Sequence, residues 1–242
     1  MDEQLMLEFI EAADRNENVH FIGSDPVRFP HRYADRHDIE VSAFIAAWMA
    51  YGSRRVFLGV LEKLHTIMDG RGGPYAFVIN RRFMEVDVDE NVCLYRFYKW
   101  SDFFQLCDRL SNAYLEKESL EDFFIPGHDL GEGVESLCRF FEGVRGIPAA
   151  GSTSANKRFY MFLRWMVRGN SPVDFGIWTA VRPSQLIIPL DTHVFQSAVR
   201  YGLTVRRSAD LKTAKEITLA MAGIWPDDPA RADFALYGME VS

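Results

Sequence analysis

Two residues of this chain stand where their side chains could make and break bonds. The stretch IIPLDTHVFQSAVRYGL, residues 187–203, runs apolar up to Asp191 and then takes up a helical pattern. Aspartate is a favoured helix N-cap, because its carboxylate accepts a hydrogen bond from an amide two or three residues on. Capping is compatible with chemistry. A carboxylate at a helix N-terminus feels the positive end of the dipole and stays ionised even when half buried. A carboxylate kept charged where water is scarce can stabilise a developing cation. The second residue is Lys157, which follows STSAN and opens KRFYMFLRWMVR. A cation is poorly placed at the positive start of a helix, and an amine left neutral is a usable nucleophile. A solvated first-turn lysine is the plainer alternative, and the residues alone leave both open.

Other candidates surround these two. Phe159, Tyr160, Phe162 and Trp165 could stack on a base, although their helical spacing fits core packing. Phe162, Trp165, Trp178 and His193 are the candidates for a base pocket. His193 has no second ligand at i+4 and no cysteine close by, so a metal site is not expected. The glycines of DGRGGP do not spell a phosphate loop, and neither GxSxG nor HExxH is present. No cofactor is called for.

These residues have to be positioned by helices. The spacing predicts helices over MDEQLMLEFIEAADRN, IEVSAFIAAWMAYGS, RRVFLGVLEKLHTIMDGRGG (stopped by its glycines and Pro74), SDFFQLCDRLSNAYLEK (with Ser101 as cap), SLEDFFIPG (a short one), GEGVESLCRFFEGV, KRFYMFLRWMVRGN, THVFQSAVRYG, DLKTAKEITLAMAGIW and DPARADFALYGMEVS. IEVSAFIAAWMAYGS is the most apolar of them and is expected to be buried at the centre. VCLYRFYKW reads either as a strand or as the lead-in to a helix. There is no βαβ rhythm, so the expected class is all-α, one unit over 1–242 of roughly ten helices.

Composition bounds the rest. Of 242 residues, 48% are hydrophobic and 25% charged, which fits a globular protein with a sizeable core. The formal net charge of −7 argues against coating nucleic acid by bulk attraction but leaves room for a local basic face. Lys and Arg do fall in groups: Arg54–Arg55, Arg81–Arg82, Lys157–Arg158, Arg164, Arg168 and Arg206–Arg207. Three widely spaced cysteines point to reduced thiols in a cytoplasmic protein and are too few for a four-cysteine cluster. The acidic amphipathic N-terminus is not a signal peptide, and no apolar run reaches membrane-spanning length.

The segment Pro189-Leu190-Asp191-Thr192-His193-Val194 resembles the stretch that supplies the catalytic aspartate in the helix-hairpin-helix DNA glycosylase superfamily. Upstream, GEGVESLCRFFEGV, RGIPAAGSTSAN and KRFYMFLRWMVR resemble that superfamily's helix, small-residue hairpin and second helix, over 133–168. Lys157 falls where its bifunctional members carry a lysine. The long separation from Lys157 to Asp191 is like that of the archaeal 8-oxoguanine glycosylase branch. The whole chain is also similar to a bacterial family of unknown function near this superfamily. The resemblance is strongest over about residues 140–205; in the hairpin PAAGSTSAN stands where relatives have a glycine pattern.

The resemblance implies a two-lobed helical glycosylase-like fold and a base-excision repair enzyme. It would be a DNA glycosylase with AP lyase activity on an oxidised purine, 8-oxoguanine, with Lys157 as nucleophile and Asp191 stabilising the sugar cation. The implied partner is double-stranded DNA with a damaged base, bound by a monomer without a membrane. Arg54, Ser152, Ser154, Asn156, Arg158, Arg164 and Arg168 would contact the DNA. Two alternatives stay open: a nucleic-acid-binding member of the same fold that does not cut, and a helical protein–protein adaptor in which Lys157 and Asp191 are structural.

Overall fold

The computed structural model describes residues 1–240, and over these the fold is all-α. The chain divides into two compact units, one of residues 25–150 and one of residues 1–24 with 151–242. In chain order the helices are α1 (Glu3–Asn16), α2 (Val19–Ser24), α3 (Arg36–Met49), α4 (Arg54–Asp69), α5 (Pro74–Ile79), α6 (Trp100–Glu116), α7 (Leu130–Phe140), α8 (Lys157–Val167), α9 (Thr192–Arg200), α10 (Leu211–Met221) and α11 (Ala232–Glu240), joined by short 3-10 turns. VCLYRFYKW resolves as a hairpin of β1 (Cys93–Tyr95) and β2 (Tyr98–Lys99), the one sheet among the described residues.

The unit of residues 25–150 is built around α3. As its sequence predicts, α3 is buried from Ile39 to Met49. The buried carboxylate of Glu40 ties it to the turn after α6: it accepts from Tyr114 Oη at 2.6 Å, Ser119 Oγ at 2.6 Å and the Leu120 amide at 2.9 Å. Helix α6 starts one residue before the expected cap, Ser101. Its first free amide, on Lys99, is satisfied by the Asp102 carboxylate at 2.7 Å. Cys107 and Cys138 are buried, Cys93 is exposed, and all three are free thiols.

His65 on α4 is fully buried in the same unit, stacked on Phe29. Its Nδ1 donates to the Leu61 carbonyl at 2.8 Å, which leaves Nε2 to accept from Ser42 Oγ at 2.8 Å. Burial pushes its pKa down to about 4, with Arg32 adding to the effect and the Leu61 carbonyl, Asp69 and Glu62 opposing it. The unfolded chain therefore binds a proton that the folded chain refuses. Stability is fully present above the unfolded pKa near 6.5 and is lost as pH falls through about 4. The shift is worth about 3 kcal/mol. Urea unfolding between pH 7.5 and 4 is expected to show this decline, and His65→Gln is expected to flatten it.

The unit of residues 1–24 and 151–242 is centred on α8. From Phe159 to Val167 every residue of α8 is buried, so only its first turn reaches solvent. Helix α1 packs along α11, and α9 packs against α11 as well. After α8 the chain runs back along the same helix: the Phe175 amide donates to the Trp165 carbonyl at 2.8 Å and the Trp178 amide to the Met166 carbonyl at 2.9 Å. Gly176, with φ of +58°, makes this return possible. A Cβ there would lie 2.2 Å from the Cα of Gly169.

Candidate functional site

Lys157 and Asp191 meet. Lys157 is the first residue of α8, entered through Asn156 in the left-handed conformation at φ +48°. Asp191 is the N-cap of α9, delivered by the segment Leu186–Leu190, whose side chains are buried. That segment is fixed in turn by the Ile188 amide, which donates to Thr218 Oγ1 on α10 at 3.0 Å. Across these two helix starts Lys157 Nζ lies 2.9 Å from Asp191 Oδ2. The other carboxylate oxygen, Oδ1, accepts from the Val194 amide at 2.9 Å. One side chain thus caps a helix and holds the amine.

The electrostatics follow from this geometry. Burial raises the Asp191 pKa, but the Lys157 charge and hydrogen bond, the Val194 amide and His193 together outweigh it, and the carboxyl is held below its ordinary value. Asp191 is therefore ionised throughout the neutral range. The side chains of Lys157 and Asp191 are 37% and 27% exposed, so the pair is open to a solute from outside. The apolar run before Asp191 does not seal it from water, contrary to the expectation of a dry setting.

The loop before Lys157 is braced. The hydroxyls of Ser152 and Ser154 accept from the amides of Ser154 and Asn156 at 3.2 and 3.3 Å. Ser154 pairs with Asp210 in a short antiparallel bridge, and the Leu211 amide donates to the Thr153 carbonyl at 3.0 Å. Asp210 caps α10 and is held by Arg206 at 2.8 Å. Asp210 is not among the residues singled out from sequence, and Arg206 is there only as one of a basic pair. A D-x-x-T capping pattern at Asp210 is visible in the sequence, but its pairing with Ser154, 56 residues earlier, is not. The segment 133–168 is divided, α7 falling in the 25–150 unit and α8 in the other.

The remaining candidates separate clearly. Arg158 is half-buried on the first turn of α8, and Ser154 and His193 are exposed beside the pair's two helix starts. Arg54 is exposed at the start of α4, in the 25–150 unit. Phe162, Trp165 and Trp178 are not pocket walls. All three are buried, and Phe162 meets the Trp178 ring edge-on at 5.3 Å, so they belong to the core.

Arg164 and Arg168 do not hold phosphates either. Each is 2% exposed, because α8 is buried all round. Arg168 donates from Nε to Asp228 at 2.9 Å and from Nη2 to Glu17 at 2.7 Å, and also binds Asp174; Arg164 binds Asp233 and Asp174. Both guanidinium groups lie over the Phe234 ring, at 4.4 and 5.4 Å from its centre. Arg231 extends the network to Glu17 and Asp14. Among the described residues no group of three or more His, Cys, Asp or Glu side chains is arranged to hold a metal.

Comparison with known proteins places the chain. A family model described as a protein of unknown function, DUF2400, matches residues 25–242. The chain belongs to the DUF2400 family. Neither a curated protein nor a solved structure gives a significant match. The DUF2400 match takes in both members of the Lys157–Asp191 pair and the whole of the 25–150 unit. Helix α1 lies before it, although Glu17 and Phe9 are built into the same unit as the pair.

Proposed function

We propose that this protein is a DNA glycosylase with AP lyase activity acting on an oxidised purine, with Lys157 as the nucleophile and Asp191 as the stabilising carboxylate. The observation that carries this reading is the 2.9 Å approach of the Lys157 amine to an ionised Asp191 at two helix starts, both accessible from solution. Side chains 34 positions apart in sequence have no local reason to meet, and a solvent-exposed ion pair contributes little to stability. Amine and carboxylate are the two groups this chemistry needs.

The steps balance as follows. Cleavage of the N-glycosidic bond leaves positive charge on the sugar, which the Asp191 carboxylate faces. Nζ, after giving up a proton, forms a bond to C1′, and the base departs with the electron pair of the broken C1′–N bond and takes up a proton. The nitrogen, now bonded to C1′, loses a second proton; its freed lone pair then forms the C=N bond as the ring opens, and the ring oxygen keeps the C1′–O4′ pair and is protonated. Loss of a C2′ proton expels the 3′ phosphate and cuts the strand. The base must leave the helix to be reached. Arg158, Ser152, Ser154 and Asn156, on the braced loop and first turn of α8, are the groups that would meet the DNA backbone; Arg54 is a separate candidate. The core aromatics Phe162, Trp165 and Trp178 have no part in the chemistry. Among the described residues no helix is long and apolar enough to cross a membrane.

The test is strand cleavage of a labelled duplex with a single 8-oxoguanine. The wild-type chain is expected to nick at the lesion without added alkali, and Lys157→Ala to lose the nick. A wild-type chain that leaves both this duplex and an abasic duplex intact would contradict the proposal.

A further inference from the structure

We propose that the tip of the 93–99 hairpin, Arg96 and Phe97 with Tyr51 beneath, is a docking site for an unpaired stretch of DNA, with one base stacked on Phe97 and phosphates held by Arg96 and Arg145. It shares with the proposed function only the premise that the partner is DNA, and it stands on the 25–150 unit alone.

Phe97 is 52% exposed at the end of a ladder of rings that runs inward. Its ring stacks on Tyr51 with centres 4.8 Å apart, Tyr51 meets Tyr98 edge-on at 5.3 Å, and Tyr98 stacks on the buried Trp48 at 4.1 Å. The outer face of a ring held this firmly offers a flat apolar platform with little entropy left to lose. A nucleobase is the ligand class whose shape and π-face fit such a platform, whatever its identity.

The tip is held in a conformation its residues do not favour. Arg96 has φ of +52° at the first of the two turn positions, where a hairpin ordinarily uses glycine. It is pinned from several sides. Gly52, at φ +76°, lies so close that a Cβ there would be 2.6 Å from the Arg96 guanidinium. Tyr95 Oη donates to the Tyr51 carbonyl at 2.7 Å, Cys93 Sγ to the Arg96 carbonyl at 3.2 Å, and Arg145 Nη1 to the Phe97 carbonyl at 3.2 Å. The result is a guanidinium 5.6 Å from the centre of the Tyr51 ring and a second one at the Phe97 backbone.

Charge selects the partner. Arg96 and Lys99 are exposed on the hairpin itself, Arg145 is exposed and bonded to the Phe97 carbonyl, and Asp102 pairs with Arg145 at 3.3 Å. Exposed rings interleaved with arginines suit a polyanion that carries flat bases. An unpaired strand suits them better than a duplex, whose bases are stacked on one another.

The test is fluorescence anisotropy of the full chain with a labelled 15-nucleotide single strand of mixed sequence, and with the matching blunt duplex, in 50–200 mM salt. The single strand is expected to bind more tightly than the duplex. Phe97→Ala is expected to weaken it about tenfold, and Phe97→Trp to restore it. Arg96→Gly suits the left-handed backbone and so keeps the fold, yet is expected to lower the salt slope by about 0.7. Wild-type affinity in a folded Phe97→Ala protein would overturn the proposal. So would the absence of single-strand binding at 50 mM salt, or a Phe97→Ala effect confined to self-association of the chain. Covalent trapping at Lys157 reads the enzymatic proposal independently of Phe97, so either can fail without the other.

Discussion

Asp191→Asn is expected to unfold at close to the wild-type urea concentration while releasing 8-oxoguanine about 10²–10³-fold more slowly in single turnover. The two readouts divide because Asp191 has two jobs. Its Oδ1 accepts the Val194 amide, and asparagine is nearly as good an N-cap, so α9 keeps its start. Its Oδ2 holds Lys157 at 2.9 Å, and only a carboxylate brings negative charge to a sugar cation at that place. The lost ion pair is partly exposed and costs at most about 1 kcal/mol of stability. Asp191→Ala would remove cap and charge together and cost a further ~1 kcal/mol, so the comparison of Asn with Ala isolates the cap. Equal release rates in wild type and Asp191→Asn would confine Asp191 to capping.

Arg168→Met is expected to lower unfolding free energy by about 3–5 kcal/mol, the cost of leaving buried charge without its partner. Arg168 is the hub of the buried network. Its guanidinium serves Asp174, Asp228 and Glu17 at once, drawing on segments that lie at opposite ends of the chain. Burial raises the Asp174 pKa in spite of both arginines. Arg164 and Arg231 would still hold Asp174 and Glu17 by one contact each, while Asp228 would be left without its arginine. Arg168→Lys keeps the charge but not the planar fork and is expected to fall between the two. Equilibrium urea unfolding checks the series, and a loss under about 1 kcal/mol for the methionine variant would show that the network contributes little.

The legible part of this molecule is its helices and its pair. Period and caps located α9, while α3 and α8, buried all round, were legible as dense apolar runs of helical length. The Asp191 cap was legible as well. The meeting of Asp191 with Lys157 was expected only through resemblance to a family, since no local rule joins α8 to α9. The arginines of α8 were misread because a basic residue on an amphipathic helix is usually at the surface. Arg164 and Arg168 are four apart and flanked by Leu163, Trp165, Met166 and Val167, all apolar, which is the pattern of a buried pair awaiting carboxylates. Those carboxylates, Glu17, Asp174, Asp228 and Asp233, are scattered over the chain and carry no signal of their own. The hairpin tip was obscure for a different reason: LYRFYKW alternates weakly, and a left-handed arginine is what propensity argues against.

Borohydride trapping decides whether the Lys157 amine bonds to the sugar. The chain is mixed with duplex DNA carrying 8-oxoguanine, and in parallel an abasic site, reduced, and resolved on a denaturing gel. A covalent protein–DNA band that maps to Lys157 by peptide mass and disappears in Lys157→Ala is the predicted result. A folded wild-type protein that gives no band with either duplex, or a band that survives in Lys157→Ala, would contradict the account.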